Sequence, residues 1–427
     1  MAGLASIVSA QQYQADEVDD KLFKLGATIQ GMAKDPAKYA ASLDQFNDYF
    51  TKWYFPSMTR FGPEDLSKLG GLRYDIFNRF LWATQNEDLQ NHLTELLMPA
   101  MKSIAAKPIY HPAARYNAIL VIGMLDRQYG IDSASNKRPP KPLAEANDFL
   151  VKLINVGIQG NPVVTPSLVV GALIGLERHA QYHDSLTPAQ IDAMTTAAIT
   201  LATKDPPLAD VDGKVAEWIR IEAATVLAKL GTVGQNNRVH DALISMLADN
   251  KLSLDGRCEV AGLLGMVNYK DAKIDGKTAT DKLLQLALDV GQAADKQAKA
   301  FQELSLGGGA GMSVSRDRGG RGGYGGYGGG SGTSSEQHSE YDRKTLLSQL
   351  GDLRKGLVVI KPLAPTDRAP AIDTVISAMQ AVIDAAGNKD TTDLDVAEKV
   401  RKMFDAIQAA VKGGAATAAK PSPDAAF

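Results

Sequence analysis

His179 and His183 stand four residues apart, with Glu177 and Asp184 beside them. On one helix this spacing sets both imidazoles on one face, the arrangement of a pair of zinc ligands. The glutamate that follows the first histidine in an HExxH protease pattern is absent, since Ala180 stands there, and no third ligand is evident in the sequence. The two histidines also fall at the end of an apolar helix, where histidine suits the negative end of the helix dipole. Cys258 is the single cysteine, so it excludes an internal disulfide framework and a multi-cysteine metal centre. It lies among Val260, Leu263 and Leu264 with no histidine near it, the setting of a small core residue rather than a nucleophile. Gly307–Gly311 is glycine-rich but lacks the Lys-Ser or Lys-Thr of a phosphate-binding loop.

One stretch carries a sharper signal. Leu306–Ser335 holds 14 of the 39 glycines, with Arg-Gly-Gly triplets at Arg318 and Arg321 and Tyr-Gly-Gly triplets at Tyr324 and Tyr327. Arginine for phosphates and tyrosine for stacking on bases is the chemistry of RGG-type RNA binding. Against that reading stand only three arginines in the stretch, Asp317 between two of them, and a formal net charge of -3 for the whole chain. The composition buries too little apolar surface to offset ordering entropy, so the stretch is expected to be a disordered tether. Self-association through Tyr-Gly contacts is a third reading.

The elements that must carry these residues are helical. Arg220–Gly231 (RIEAATVLAKLG), Arg115–Leu125 (RYNAILVIGML) and Arg257–Val267 (RCEVAGLLGMV) fit one template. It runs Arg, any residue, Asn or Glu, three mostly small or apolar residues, two aliphatics, Gly or Ala, any residue, aliphatic. Ser167–Glu177 keeps the aliphatic and glycine part without the arginine, and Arg73 with Asp75 gives a weaker echo. Copy starts at 115, 167, 220 and 257 are spaced 52, 53 and 37 residues apart. Those spacings bracket the roughly 40–47 residues of HEAT and armadillo units. A partner helix precedes each copy, at Leu89–Ile104, Leu143–Ile158, Ile191–Ala202 and Val239–Leu247, and Asp132–Pro142 reads as a polar, proline-rich loop. Pro112, Pro166 and Pro188 suit first helical turns, and Thr187 with Gln190 reads as a capping box. Ser42 with Gln45 suggests another, on a helix over Ala37–Phe55 that ends in the aromatic run Trp53-Tyr54-Phe55-Pro56, read as a cap on the core.

On these repeats the chain resembles HEAT-type α-solenoids. The resemblance implies a curved surface for binding another protein and does not imply an enzyme. Arg115, Arg220 and Arg257 are then expected to be structural, bonding together with the Asn or Glu two residues on between neighbouring units. The fold class expected is all-α: an N-terminal extension over 1–15, a HEAT-like solenoid over 16–305, a disordered Gly-rich linker over 306–340, a three-helix bundle over 341–412 and an Ala/Pro tail over 413–427. Leucines 346, 350, 353 and 357 mark the first bundle helix.

The function expected is a non-enzymatic scaffold with a protein partner and no cofactor. An RNA-associated protein and an exported surface protein are the alternatives. No apolar run reaches the roughly 18 residues that span a bilayer. Met1–Ala10 ends in Val8-Ser9-Ala10, a small-residue pattern a signal peptidase accepts, yet has no Lys or Arg and a short apolar core. The compartment is therefore open, with the cytoplasm favoured over export.

Overall fold

A computed structural model describes residues 12–133, 136–205, 207–209, 211–307 and 341–418. It is an all-α protein whose strands are confined to one short stretch. The described residues form two compact units. The first takes the chain to Met246 together with Met266–Ala272; the second comprises Leu247–Gly265 and the chain from Lys273 onward.

The first unit opens on short pieces: α1 (Gly26–Met32), α2 (Pro36–Ala40), α3 (Leu43–Asp48) and α4 (Phe55–Ser57), with a π-helical segment over Tyr49–Tyr54. One continuous helix over Ala37–Phe55 is not formed, because Asp35 caps α2 and a fresh start follows at Ser42. Ser42 makes no side-chain capping bond, so that capping box is absent. Tyr54 and Phe55 are buried, as the aromatic run requires. Then come α5 (Pro63–Asp75), a second π segment over Ile76–Leu81, α6 (Glu87–Ala106) and α7 (Pro112–Gly123). After the strands follow α8 (Ala144–Ile158), α9 (Pro166–Gln181), α10 (Pro188–Thr203), α11 (Gly213–Lys229) and α12 (Arg238–Leu247). Proline opens α7, α9 and α10 where its missing N–H has no partner to lose, and the Thr187–Gln190 capping box is present.

The stretch expected to be a loop is instead a nested hairpin. β1 (Asp126–Gln128) pairs antiparallel with β4 (Lys141–Pro142), and β2 (Ile131–Ser133) with β3 (Asn136–Arg138). Its anchor is Tyr129, fully buried, whose hydroxyl shares a 2.7 Å hydrogen bond with Thr94 Oγ1 on α6.

Packing explains the repeated template. Helices α6 and α7, α8 and α9, and α10 and α11 pack as pairs, and the second members follow one another, α5 on α7, α7 on α9 and α9 on α11. The template glycine is where second helices meet: a Cβ on Gly123 would lie 2.6 Å from the Cα of Gly175, the equivalent residue of the next copy. The template arginine serves the preceding helix. Arg115 Nε donates to the Ala105 carbonyl at 2.9 Å and Arg220 Nε to the Ala202 carbonyl at 2.9 Å, both in the last turn of the partner helix. Each satisfies a carbonyl that has no intrahelical partner and places positive charge at the negative helix end. Arg115 Nη2 also reaches the Val163 carbonyl at 2.6 Å, in the connection leading to α9. Arg220→Met keeps the buried stem and removes these donors, so it should lower unfolding stability by about 2–3 kcal/mol in urea titrations. Gly70, in contrast, sits on the exposed side of α5, and a Cβ added there would meet nothing within 4 Å. Gly70→Ala should raise stability by about 0.5–1 kcal/mol in the same titration.

The second unit is built from α13 (Leu254–Leu263), α14 (Gly276–Gly307), α15 (Arg343–Ile360), α16 (Ala369–Gly387) and α17 (Asp393–Ala418). The leucines at 346, 350, 353 and 357 are all buried, as are Ile372, Val375, Met379, Val400, Met403 and Ile407. One expectation is corrected. The 16–305 and 341–412 division fails, because α13 and α14 pack with the later helices: α13 on α15, and α14 on both α15 and α17. Glycines let the backbones close in; a Cβ on Gly356 would lie 2.5 Å from the Ala261 carbonyl oxygen, and one on Gly276 would strike the Leu363 carbonyl. Residues 308–340, nearly all of the expected linker, lie outside the described residues; the helices before and after them, α14 and α15, pack on each other. Arg257 belongs to this unit, and its guanidinium pairs with Asp289 on α14 at 3.0 Å rather than repeating the carbonyl bond of its two counterparts.

Candidate interaction face

Helices α5, α7, α9 and α11 bury one side in the first unit and leave the other free. On the free side stand Tyr74 of α5, Ile174 of α9 and Trp218 of α11, with Tyr116 of α7 half-buried between them. Tyr74 is 64% exposed and Trp218 47% exposed, large values for side chains whose burial is strongly favourable. The Tyr116 ring rests over α9, because Gly171 there has no side chain to hold it off.

Polar groups tie this face together. Arg73 Nη1 donates to Asn117 Oδ1 at 2.6 Å, from α5 to α7. Trp218 Nε1 donates to Glu222 Oε1 at 2.9 Å, one turn along α11. Lys229 pairs with Glu177 at 3.7 Å, from α11 to α9. Burial raises the Glu222 pKa, the Trp218 bond opposes that, and the negative charge of Glu177 adds to it. Tyr116 is likewise raised by burial, with Arg73 opposing and Glu222 adding. Arg73, Tyr116, Glu222 and Glu177 thus feel one another across four successive helices. Arg73, Glu222, Lys229 and Glu177 each have a polar or ionic partner on this row, while the Tyr74 and Trp218 rings stay exposed. Such a face suits recognition of a protein segment, where tryptophan and tyrosine supply most of the binding energy.

The residues singled out from sequence lie elsewhere. His179 is fully buried on α9, beside Asn147 and near the backbone of Gly123. Burial, with help from the Arg178 charge, lowers its pKa to about 3. His183 is not on the same helix: α9 ends at Gln181, Tyr182 leaves helical geometry, and His183 opens a short 3-10 turn with Nδ1 2.7 Å from the Ala180 carbonyl. The shared face that the four-residue spacing implied is therefore not formed. Among the described residues no group of three or more His, Cys, Asp or Glu side chains is placed to hold a metal. Cys258 is buried, and burial pushes its thiol up to about 12, far from the thiolate a nucleophile requires. Arg318, Arg321, Tyr324, Tyr327 and Met1–Ala10 lie outside the described residues. No helix of the described residues is long and apolar enough to cross a membrane.

Template bonding between Arg and the Asn or Glu two residues on is also revised. Asn117 is reached by Arg73 of the neighbouring helix, as a bond between units demands, whereas Glu222 is held by Trp218 of its own helix. Sequence reasoning missed Tyr74 and Trp218. The available signal was an aromatic residue immediately after Arg73, and another two residues before Arg220, each off the apolar stripe of its helix.

Comparison with protein-family models finds no match, and neither curated proteins nor solved structures match the chain. The class is therefore defined by the structure alone: an all-α protein with helix pairs in its first unit and an aromatic face along four of its helices.

Proposed function

We propose that this chain is a non-enzymatic scaffold that binds another protein along the free side of α5, α7, α9 and α11, in a HEAT-like solenoid. The observation that carries the reading is the exposure of Trp218 and Tyr74 on a row of helices whose charges already have partners within the row. The succession of second helices, each meeting the next, supports the solenoid. A scaffold uses such a row because one segment of a partner then contacts several units, and each contributes a ring or a hydrogen-bonding group.

The test is affinity capture from native extract by full-length protein, with and without nuclease, beside a Tyr74→Ala/Trp218→Ala variant. Tyr74 is largely exposed and Trp218 gives up one hydrogen bond to Glu222, so the variant should stay folded and lose only about 1–2 kcal/mol, checked by urea unfolding. A specific protein partner that survives nuclease and is lost at least about tenfold with the variant supports the proposal. A partner that leaves with nuclease and is untouched by the variant moves the function to Arg318 and Arg321.

A further inference from the structure

A second feature of the first unit lies apart from that face. Between the opening helices and α5 is a cleft of about 610 Å³, within the range of roughly 300–1,000 Å³ typical of small-molecule sites. Its walls come from both π-helical segments: Tyr49, Trp53 and Tyr54 from one, Arg79 and Phe80 from the other. These two are the π-helical segments of the described residues. In each the backbone bond skips to the fifth residue, Phe55 N–H to Phe50 O and Trp82 N–H to Phe77 O. A π turn re-aims the side chains that follow it and is found frequently at functional sites. Here the two segments pack through Phe50 and Phe80, whose rings lie 5.2 Å apart, so both turns shape one cavity.

The lining has an aromatic side and a charged side. Phe23 and Trp53 stand with ring centroids 5.4 Å apart, and Phe23 is 66% exposed although it lines the cleft. Arg60 is held by Asp20 with bonds of 2.8 and 2.9 Å, and Arg79 by Asp75 at 2.9 Å. Lys24 and Lys68 also line the cleft and have no carboxylate within 4 Å among the described residues. Among the described residues of the lining, Asp65 is the one carboxylate without an ion-pair partner. The excess charge is positive, and it sits beside exposed rings.

We propose that this cleft binds a small molecule with a flat aromatic body and one anionic group. The rings of Phe23 and Trp53 take the body, and Lys24 and Lys68 take the anion. This inference stands separately from the protein-binding face, and its failure leaves that reading as it was.

The probe is 2-naphthalenesulfonate, titrated calorimetrically into the full chain, with the neutral 2-naphthalenesulfonamide as its uncharged counterpart. Saturable one-to-one binding of the sulfonate is expected, about tenfold tighter than that of the sulfonamide. Raising salt from about 0.02 to about 0.5 M should weaken the sulfonate alone. Lys24→Glu/Lys68→Glu should lose at least about tenfold for the sulfonate with little change for the sulfonamide, and Phe23→Ala should weaken both. All three positions are exposed, so circular dichroism should match wild type. Absence of saturable binding overturns the proposal. So does sulfonate binding that ignores salt and the lysine reversals.

Discussion

Gly123→Ala will destabilise the first unit by about 2–3 kcal/mol, even though alanine is the better helix former. The added methyl would stand 2.6 Å from the Cα of Gly175, and both atoms belong to helix backbones that have no rotamer to change. Helices α7 and α9 must move apart, which opens space around His179 and Leu150 next to the contact. Gly175→Ala meets Leu150 and Gly123 from the other side and should behave alike. Urea unfolding of the two variants beside Gly70→Ala separates packing from propensity, because the same change of residue type carries opposite signs at the two kinds of position. Equal, small effects at all three would mean that the second helices do not meet at the template glycine.

Acid will destabilise the first unit through His179. Its pKa is about 3 in the folded protein, against an ordinary value near 6.5, chiefly because burial excludes the charged ring. Below about 6.5 the unfolded chain takes up a proton that the folded chain refuses. Stability is therefore fully present above about pH 6.5 and is lost as pH falls toward 3, by on the order of 4 kcal/mol at the acid end. Asp126, buried against Arg178, has a pKa raised by that burial and contributes with the opposite sign, its share being lost as pH rises through its folded value. His179→Gln isolates the histidine: between about pH 6.5 and 4 its stability should change much less steeply than that of wild type. Parallel pH profiles for the two proteins would show that the ring is not held neutral.

What could be read from the chain was local. Proline at the start of α7, α9 and α10, the Thr187–Gln190 cap and the leucines of α15 follow from single-helix rules. The template was legible, but the partners of its residues were not. That Gly123 meets Gly175, or that Arg220 serves Ala202, depends on how two helices cross. The division of the chain was misplaced for the same reason, since the glycines at 276 and 356 look ordinary until the Leu363 and Ala261 carbonyls arrive beside them. The hairpin went unseen because its anchor, Tyr129, bonds a threonine 35 residues earlier in the chain. His179 and His183 were paired on a helix that ends between them. Tyr74 and Trp218 escaped notice because exposure is a property of the assembled row and leaves little mark in spacing.

The central claim is that the free side of α5, α7, α9 and α11 receives a protein. Hydroxyl-radical footprinting tests it most directly, with the full-length chain oxidised alone and in its nuclease-treated native complex, then compared residue by residue. The account predicts that Trp218, Tyr74 and Tyr116 are protected together in the complex while exposed aromatics off that row, such as Phe61 and Trp82, keep their reactivity. Unchanged oxidation of Trp218 and Tyr74 in a complex that protects other parts of the chain would contradict it.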